Sequence, residues 1–512
     1  MIIDFFDHSV KLFPNHLAFV DDNYSLTYRE TGDITHHIAT RLRATPGLGK
    51  GTHVAILSPN DAYAFVCLLG TYRAEMVYVT VNTRDSLERN LEVLNQFDVE
   101  FLFYHSQFEK DIDRIRQAVP GIKDSACIDK GALDHWLEGY RERFRLASDE
   151  LDAVGAIYTT GGTTGKPKGA VHTHRDMVCS LLDAHAFFNM EAGTRHLLAA
   201  PMTHVAGVYA LIHTGKGGTS YILQRPDLDV VMNMIQENRI TDLFLPPTVI
   251  YMMLAHPAAR SCDFSSLTCF ISAGAPFVPE KFKEAVGLFG PCMCNAYGQS
   301  EANALISCLT SDHYLNPDGS FNESRLKSVG TGTLAQRVEL MDDDGNILEE
   351  LGERGEIVVG GPCRMKEYYK DPVATAEALA GGWLHTGDIG IRDEEGFVSI
   401  VDRKKEMIIS GGFNVFPSEV EDVILQFAGV QQCAVVGVPD EKWGEAVKAV
   451  VTLSAGRTVD PAELIAFCKE RLGSVKAPKT IDIWEYIPIS PVGKVLRREV
   501  REHFWDETGR II

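Results

Sequence analysis

The stretch from Gly155 to His174 reads GAIYTTGGTTGKPKGAVHTH and contains the strongest local pattern in the chain. An apolar run typical of a buried strand leads into a segment rich in glycine, threonine and lysine. Glycines let backbone N–H groups turn toward an anion, threonine hydroxyls add donors, and lysines add positive charge for phosphate. The pattern differs from the P-loop G-x-x-x-x-G-K-[ST], because its glycine spacing is one residue short and Pro167 follows the first lysine. The segment therefore predicts a phosphate-binding loop of another kind.

Short apolar runs alternate with longer amphipathic ones on both sides of this loop. Residues 53–59 (HVAILSP), 76–82 (MVYVTVN) and 101–105 (FLFYH) are predicted strands, and residues 61–75 and 175–188 are predicted helices. Strands that alternate with helices indicate βαβ units and a mainly parallel sheet. Such sheets bind ligands beyond the carboxyl ends of their strands. We therefore predict an α/β fold with a large N-terminal domain of βαβ-type sheets.

The sequence pattern changes after about residue 330. The segment SVGTGTLAQRVELMDDDGNILEELGERGEIVVGG, residues 328–361, has short period-two runs separated by DDDG and ERGE turns, which favour a β-rich, hairpin-containing subdomain. A charged cluster begins at Asp402, and the residues after it predict a small α+β domain. We place the boundary there, between a domain of residues 1–401 and a mobile domain of residues 402–512.

Composition and charge exclude several classes of function. The 512 residues are 45% hydrophobic and carry 49 Lys plus Arg against 70 Asp plus Glu, a net charge of −21. We do not expect a protein this acidic to bind a nucleic-acid backbone as its main task, since phosphate contacts need a basic face. Its apolar runs, such as residues 62–72, are too short to span a membrane. The eleven cysteines lack zinc-ligand spacing, so we expect reduced thiols in a cytoplasmic protein.

Four further motifs, together with the glycine-rich loop, resemble the adenylate-forming superfamily of acyl-CoA synthetases, peptide-synthetase adenylation domains and insect luciferases. The motifs are NAYGQSE (residues 295–301), GWLHTGDIG (382–390), DRKKEMIISGGFNVFPSEVE (402–421) and PISPVGK (488–494). They occur in the order of the family and cover essentially the whole chain. The resemblance implies an AMP-binding and acid-binding N-terminal domain followed by a C-terminal lid domain.

The resemblance implies a nucleotide site for ATP with Mg²⁺. The Tyr297 ring can lie on a purine face, and the Glu301 carboxylate is a hard oxygen ligand suited to Mg²⁺. By similarity Asp388 holds the ribose, assisted by Arg403, as an acidic residue does in dinucleotide sites. The full set implied for the nucleotide is Thr159, Thr160, Gly161, Gly162, Thr163, Thr164, Lys168, Gly274, Ala275, Pro276, Asn295, Ala296, Tyr297, Gly298, Gln299, Ser300, Asp388, Ile400 and Arg403.

Lys494 is the predicted catalytic residue, together with Glu301 and His204. It stands in a Pro/Gly turn just before a predicted helix, where its ammonium group can project into a cleft. A fixed cation stabilises the charge that builds when a carboxylate attacks the α-phosphorus of ATP. The resemblance also makes Asp402 a hinge between two half-reactions.

The resemblance places the CoA arm at a second glycine pair. Gly411, Gly412 and Phe413 form the stretch that the lid domain presents in the second half-reaction, and glycines let a thin pantetheine arm approach the backbone.

The residues expected around the acid predict an apolar tail. His204 stands where amino-acid-activating relatives have an Asp that holds the ammonium group, which argues against an α-amino acid. The predicted pocket walls are small or apolar and suit an acyl or aryl acid. They are His204, Val205, Val208, Ala273, Gly274, Ala275, Ala296, Gly298 and Asn303.

The predicted function is that of an AMP-forming acid–CoA ligase, and three alternatives remain open. A stand-alone adenylation enzyme would load a carrier protein instead of CoA, although no carrier domain follows the motif at Lys494. A luciferase-like oxygenation would use the same adenylate. A nucleotide sensor without catalysis would have no use for Lys494. The predicted partners are the carboxylic acid, ATP and CoA, and a second copy of the chain is a further candidate.

Overall fold

The computed structural model describes residues 1–146, 149–160, 167–203, 205–225, 227–440, 443–454, 456–488 and 495–505. Its helices are α1 (Ile2–Leu12), α2 (Tyr28–Ala44), α3 (Ala62–Arg73), α4 (Leu87–Gln96), α5 (Glu109–Ala118), α6 (Lys130–Trp136), α7 (His174–Phe187), α8 (Val205–His213), α9 (Leu228–Glu237), α10 (Pro247–Ala255), α11 (Pro279–Phe289), α12 (Ser311–Tyr314), α13 (Pro372–Ala378), α14 (Pro417–Ile424), α15 (Pro461–Lys476) and α16 (Arg497–Trp505).

Two mainly parallel sheets form most of the N-terminal part. Sheet 1 has the order β15-β14-β13-β12-β11-β9-β10-β1-β2, and sheet 2 has the order β18-β8-β7-β4-β3-β5-β6. The strands of sheet 1 are β1 (Leu17–Val20), β2 (Ser25–Thr27), β9 (Arg195–Leu198), β10 (Thr219–Ile222), β11 (Asp242–Phe244), β12 (Cys269–Ser272), β13 (Met293–Tyr297), β14 (Ser307–Leu309) and β15 (Thr331–Gly332). Those of sheet 2 are β3 (His53–Leu57), β4 (Val77–Val79), β5 (Phe101–Tyr104), β6 (Asp124–Cys127), β7 (Val154–Thr160), β8 (Lys168–Thr173) and β18 (Glu367–Tyr368).

The predicted α/β fold is confirmed. Strands β3, β4, β5 and β7 pair in parallel in sheet 2, and β9, β11, β12 and β13 do so in sheet 1. Strand β8 returns antiparallel to β7, so that Thr160 faces Lys168 across the hairpin. The glycine-rich loop therefore joins two paired strands.

Two smaller sheets follow in the sequence. Sheet 3, at the segment predicted to be β-rich, has the order β16-β17-β19-β20, with β16 (Arg337–Met341), β17 (Gly355–Gly360), β19 (Leu384–Arg392) and β20 (Val398–Arg403). Sheet 4 has the order β22-β21-β24-β23, with β25 paired to β24; its strands are β21 (Ile408–Ser410), β22 (Phe413–Val415), β23 (Val430–Asp440), β24 (Gly444–Leu453) and β25 (Thr480–Ile483). Helices α14 and α15 pack with sheet 4, which gives the C-terminal part an α+β core.

The chain divides into two compact units. The first comprises residues 1–339, 358–386 and 395–398, and the second comprises residues 340–357, 387–394 and 399–512. The last segment of the second unit begins three residues before Asp402, and this unit also takes in two short segments that the sequence boundary assigned to the N-terminal domain. The use of Asp402 as a hinge stays a prediction.

Helix α3 is buried along its whole length. Each of its residues from Ala62 to Arg73 is buried, which explains why its sequence is apolar on every face. Arg73, only 2% exposed, ends this helix and pairs with Asp7 of α1 through both guanidinium ends, with an Nη1–Oδ2 distance of 2.9 Å. A buried charge is tolerated here because its partner and hydrogen bonds satisfy it.

A histidine–aspartate–histidine triad is buried beside sheet 1. His196 lies on β9, Asp242 on β11 and His213 at the end of α8. Asp242 Oδ1 lies 2.6 Å from His196 Nδ1 and 2.8 Å from His213 Nε2, and the two imidazole rings stack with centroids 4.5 Å apart. Burial lowers the pKa of His196, whereas for Asp242 the histidines outweigh burial and hold the pKa below its usual range. We therefore assign an ionised Asp242 that accepts a hydrogen bond from each of the two rings.

None of the helices in these described ranges combines the length and hydropathy that crossing a bilayer requires. The eleven cysteines are free thiols.

We expect Asp242→Ala to lower the free energy of unfolding by about 2–5 kcal/mol, because it leaves two buried ring N–H groups without an acceptor. Urea unfolding of the intact chain measures this loss. The matched control is Asp229→Ala, since Asp229 forms its ion pair with His256 at the surface, at 3.6 Å. Equal stabilities of the two variants would contradict the buried-triad assignment.

Candidate functional site

The candidate site of the first unit lies where parallel strands of sheet 1 end. Ser272 of β12 pairs with Asn295 of β13, so the loops that follow these two strands leave the sheet at the same edge. The first loop carries Ala273, Gly274, Ala275 and Pro276, and the second carries Gly298 to Asn303. The predicted nucleotide residues of two distant motifs are therefore neighbours.

The turn after β13 depends on Gly298. A Cβ atom at this position would lie 1.6 Å from the Ala304 carbonyl oxygen, so no other residue fits while the chain doubles back. Asn303 and Ala304 complete the turn with left-handed φ values of 52° and 85°. Glu301 lies inside this turn, in a short 3₁₀ segment, Ser300–Ala302. The strain of the two left-handed residues is compensated by contacts from neighbouring elements.

His172 of β8 supports the turn from below. Its Nε2 lies 2.7 Å from the Ser300 carbonyl oxygen, and its Nδ1 lies 2.7 Å from Asp176 Oδ1. Asp176 also closes a capping box with Thr173 at the start of α7, which fixes the carboxylate. The imidazole is fully buried, so strand β8, helix α7 and the Glu301 turn are joined at one point.

The Glu301 carboxylate is held by Tyr368. The Tyr368 hydroxyl donates to Glu301 Oε1 at 2.7 Å, and the Met365 backbone N–H donates to the Glu301 carbonyl at 2.7 Å. Burial, reinforced by the charge of Glu301, raises the pKa of Tyr368 well above its usual range, so the hydroxyl stays protonated. The donor set fits a hard cation such as Mg²⁺, because one carboxylate oxygen is fixed by this bond and the other is an oxygen ligand of the kind that Mg²⁺ prefers.

Lys168 approaches the same tyrosine. Its Nζ lies 4.9 Å from the centroid of the Tyr368 ring, a cation–π contact. The lysine predicted to bind phosphate and the acid predicted to bind Mg²⁺ thus contact one side chain. We call Lys168, Tyr368 and Glu301 the cation triad.

Thr159 and Thr160 lie at the end of β7. Thr159 exchanges hydrogen bonds with Thr80, with its N–H 2.8 Å from Thr80 Oγ1, and Thr160 Oγ1 lies 3.5 Å from the Lys168 carbonyl oxygen. The predicted residues Gly161, Gly162, Thr163 and Thr164 lie outside the described residues, as do His204 and Lys494.

Two predicted site residues, Asn295 and Asn303, direct their side-chain amide groups toward backbone carbonyl groups. Asn295 Nδ2 donates to the Ser328 carbonyl at 3.1 Å, and Asn303 Nδ2 lies 3.5 Å from the Asp176 carbonyl oxygen. Both side chains are buried and brace the backbone of the site. Gln299 donates to the Thr386 carbonyl at 2.9 Å, and the adjacent Tyr297 is 8% exposed.

Four of the predicted acid-pocket residues pack in one hydrophobic core. Val205 and Val208 of α8 pack against a cluster that includes Ala273 and Ala296, together with Tyr209, Phe244 and Cys294. Tyr209 stacks on Phe244 with ring centroids 5.6 Å apart. The named side chains of this core are therefore aliphatic, aromatic or sulfur-containing.

The second unit holds the remaining predicted residues. Asp388, 1% exposed, pairs with Arg403 at 2.6 Å between Oδ1 and Nε, which joins the two residues predicted to bind ribose. Ile400 lies on β20, three residues before Arg403, and is partly exposed.

The predicted CoA stretch forms a two-residue hairpin between β21 and β22. Gly411 and Gly412 have φ values of 60° and 83°, which a turn of this kind favours. A Cβ atom on Gly411 would lie 2.5 Å from the Trp443 ring, and Phe413 is 59% exposed at the hairpin tip. The hairpin therefore presents a thin backbone beside two aromatic side chains.

Sequence reasoning missed His172 and Tyr368 as site residues. A buried histidine within the apolar strand GAVHT was the available signal for His172, whereas Tyr368 lies outside every quoted motif and is brought to Glu301 by the pairing of β18 with β8.

Comparisons with known proteins identify one family along nearly the whole chain. Residues 6–369 match the model of the AMP-binding enzyme family, and residues 419–494 match that of the AMP-binding enzyme C-terminal domain. The chain is 35% identical to a medium/long-chain-fatty-acid–CoA ligase, FadD8, of Mycobacterium tuberculosis, over 94% of this chain and 86% of that protein. It is 33% identical to a feruloyl-CoA synthase of Amycolatopsis sp, over 96% and 97% of the two chains.

A solved structure shares the fold. The fatty acyl CoA synthetase of Mycobacterium tuberculosis superposes with a TM-score of 0.84 and 29% identity, over 99% of this chain and 98% of that one. The resemblance inferred from the motifs is thereby confirmed, and the chain belongs to the AMP-binding enzyme family.

Proposed function

We propose that this protein activates a carboxylic acid with an apolar acyl or aryl tail and transfers it to CoA. As a member of its family it is an ATP-dependent, AMP-forming acyl-CoA synthetase, with ATP and CoA as substrates and Mg²⁺ as cofactor. The observation that carries the proposal is the cation triad beside the β7–β8 hairpin, in a chain that matches acid–CoA ligases along its length.

The first half-reaction joins the acid to the nucleotide. A carboxylate oxygen attacks the α-phosphorus of ATP, and pyrophosphate leaves, which gives the acyl-adenylate. Lys168 and the hydroxyls of Thr163 and Thr164 bind phosphate oxygens, and Lys494 offsets the charge that accumulates on the α-phosphate. Glu301 would hold Mg²⁺, which would supply positive charge to offset that of the phosphates. Tyr368 keeps the carboxylate of Glu301 oriented.

The second half-reaction transfers the acyl group. The thiol of CoA attacks the acyl carbon, its proton leaves to solvent or a base, and AMP departs. We propose that the residues from Asp402 onward turn about this hinge between the steps, so that Lys494 serves the first and the Gly411–Gly412 hairpin serves the second. The exposed tip of that hairpin supports its use as a path for the pantetheine arm.

The apolar face of sheet 1 supports the choice of acid. The named relatives act on a fatty acid and form a feruloyl thioester, and thus cover an aliphatic and an aromatic acyl group. Val205, Val208 and Ala273 pack in a hydrophobic cluster, which suits an apolar tail, whereas a buried ammonium group would need a carboxylate partner.

Compartment and assembly complete the proposal. Eleven reduced thiols support a cytoplasmic location, where ATP and CoA are available. A homodimer is proposed as the assembly, which light scattering after size-exclusion chromatography tests directly.

A pyrophosphate-release screen over acids, with and without CoA, tests the substrate class. We expect medium- and long-chain aliphatic acids or hydroxycinnamic acids to be turned over, and α-amino acids and short dicarboxylates to have kcat/KM values at least about 100-fold lower, because a second charge would be buried without a partner. Faster transfer to a carrier protein than to CoA would replace the proposed acceptor. Binding of ATP without turnover of any acid would refute the proposed enzyme.

We expect Lys494→Ala to lower acid-dependent pyrophosphate release roughly 100-fold or more, since it removes the cation at the α-phosphate. Thioester formation from supplied acyl-adenylate and CoA should stay near the wild-type rate. Lys469→Ala, at an exposed position of α15, is the control for loss of a lysine. An equal loss in both half-reactions would show that Lys494 has another role.

We expect Tyr368→Phe to lower kcat of the first half-reaction about 10-fold while the KM for the acid changes little, because the ring and its contact with Lys168 remain and only the bond to Glu301 is lost. Steady-state kinetics at several Mg²⁺ concentrations measure the effect. Tyr369→Phe is the matched control, since the Tyr369 hydroxyl donates to Asp98 instead. The positioning role is wrong if the two variants behave alike.

A further inference from the structure

Arg497, the first residue of α16, lies among three carboxylates of the second unit. Its Nε donates to Glu421 Oε1 at 2.8 Å, and its Nη2 pairs with the other oxygen of Glu421, so this contact is bidentate. Its Nη1 lies 2.7 Å from Glu406 Oε2 and 3.4 Å from Asp402 Oδ1. We call Arg497, Asp402, Glu406 and Glu421 the arginine cluster.

The arginine cluster is shielded from solvent. The side chain of Arg497 is 18% exposed, that of Glu421 is 13% exposed and that of Asp402 is 0% exposed. Burial acts to lower the pKa of Arg497, but Glu421 and Asp402 outweigh it and hold the pKa above its usual range. The guanidinium therefore stays charged, and without it the acidic side chains would repel one another at low dielectric.

Asp402 is fixed from two further directions. Its Oδ2 accepts the backbone N–H of Ser418 at the start of α14 at 2.9 Å, and its Oδ1 accepts the N–H of Arg403 at 2.9 Å. Glu421, on α14, also accepts the N–H of Val435 of β23 at 2.8 Å. Arg497 thus connects the first turn of α16 to the hinge position, to α14 and to sheet 4.

We propose that Arg497 is a positioning residue that makes the hinge position and the start of α16 one rigid piece. Lys494 precedes Arg497 by three positions, so the segment that carries it is tethered within about 10 Å of chain length to this cluster. The inference rests on the roles proposed for Lys494 and Asp402. It adds that the bidentate contact of Arg497 with Glu421 determines where the segment with Lys494 is anchored when the chain turns at Asp402.

A comparison of the two half-reactions tests the proposal with Arg497→Met, which keeps the length of an unbranched apolar stem. We expect acid-dependent ATP–pyrophosphate exchange to fall at least 10-fold through kcat, with the KM values for ATP and acid within twofold of wild type. Thioester formation from supplied acyl-adenylate and CoA should stay within about threefold. A purely structural role would lower both rates together and would overturn the proposal.

Arg498→Met is the matched control. Arg498 is the next residue of α16, is 71% exposed and pairs with Glu502 on the same helix. We expect both half-reactions to be unchanged in this variant. Arg497→Lys should recover only part of the exchange rate, because an ammonium group cannot bind the Glu421 carboxylate as a fork.

Glu406→Gln provides the test if Arg497→Met does not fold, as judged by circular dichroism. The Glu406 side chain is 30% exposed and removing its charge leaves the Glu421 and Asp402 contacts in place. We expect a two- to fivefold loss that is confined to pyrophosphate exchange. An equal effect on the two half-reactions would contradict the proposal.

The outcomes separate this inference from the proposed function. If the wild-type chain exchanges pyrophosphate and Lys494→Ala does not, while Arg497→Met exchanges normally, the positioning role alone is refuted. If the wild-type chain exchanges pyrophosphate with none of the acids, the proposed function fails first and the inference falls with it.

Discussion

The parallel pairing of β12 with β13 is the constraint on which the candidate site depends. Parallel strands end at the same edge of a sheet, so the Gly274 loop and the Glu301 turn must be adjacent once Ser272 and Asn295 are paired. The second loop then has to reverse within a few residues, and only a residue without a side chain fits at Gly298. His172 and Tyr368 act on a turn that the sheet has already placed.

Three buried or partly buried charged side chains each have specific partners of opposite charge or hydrogen-bonding groups. Asp242 is shared by two imidazoles, Arg73 is paired with Asp7, and Arg497 is surrounded by acids. Removing one partner of such a group is more costly than the pair is worth in net stability, because the remaining charge is left in a medium of low dielectric. These groups therefore determine which arrangements of helices and strands are compatible, more than they add to the free energy of folding.

The sequence was sufficient for the fold class and for the family, and insufficient for the contacts that orient the site. Alternating apolar runs predicted β3, α3, β4 and β5 within a few residues, because periodicity is a local property. It did not indicate that α3 is buried on all sides or that it ends in a buried arginine. The contact of Tyr368 with Glu301 joins residues 67 positions apart, and the Asp242 triad depends on residues 46 positions apart, so only the strand order reveals them. The predicted roles of His204 and Lys494 concern residues outside the described ranges and stay predictions.

Helix α3 has a consequence for how the chain acquires its structure during synthesis. Its aromatic side chains pack against residues that come before and after it in the sequence. Phe65 stacks on Phe19 with ring centroids 5.1 Å apart, and Tyr72 meets His174 edge-on at 6.3 Å. A nascent polypeptide that has passed α3 but not α7 therefore leaves apolar surface of this helix uncovered for the time that the ribosome needs to add about a hundred residues, which at about 5–20 residues per second amounts to several seconds or more. During that interval the uncovered apolar surface makes the growing chain prone to aggregation.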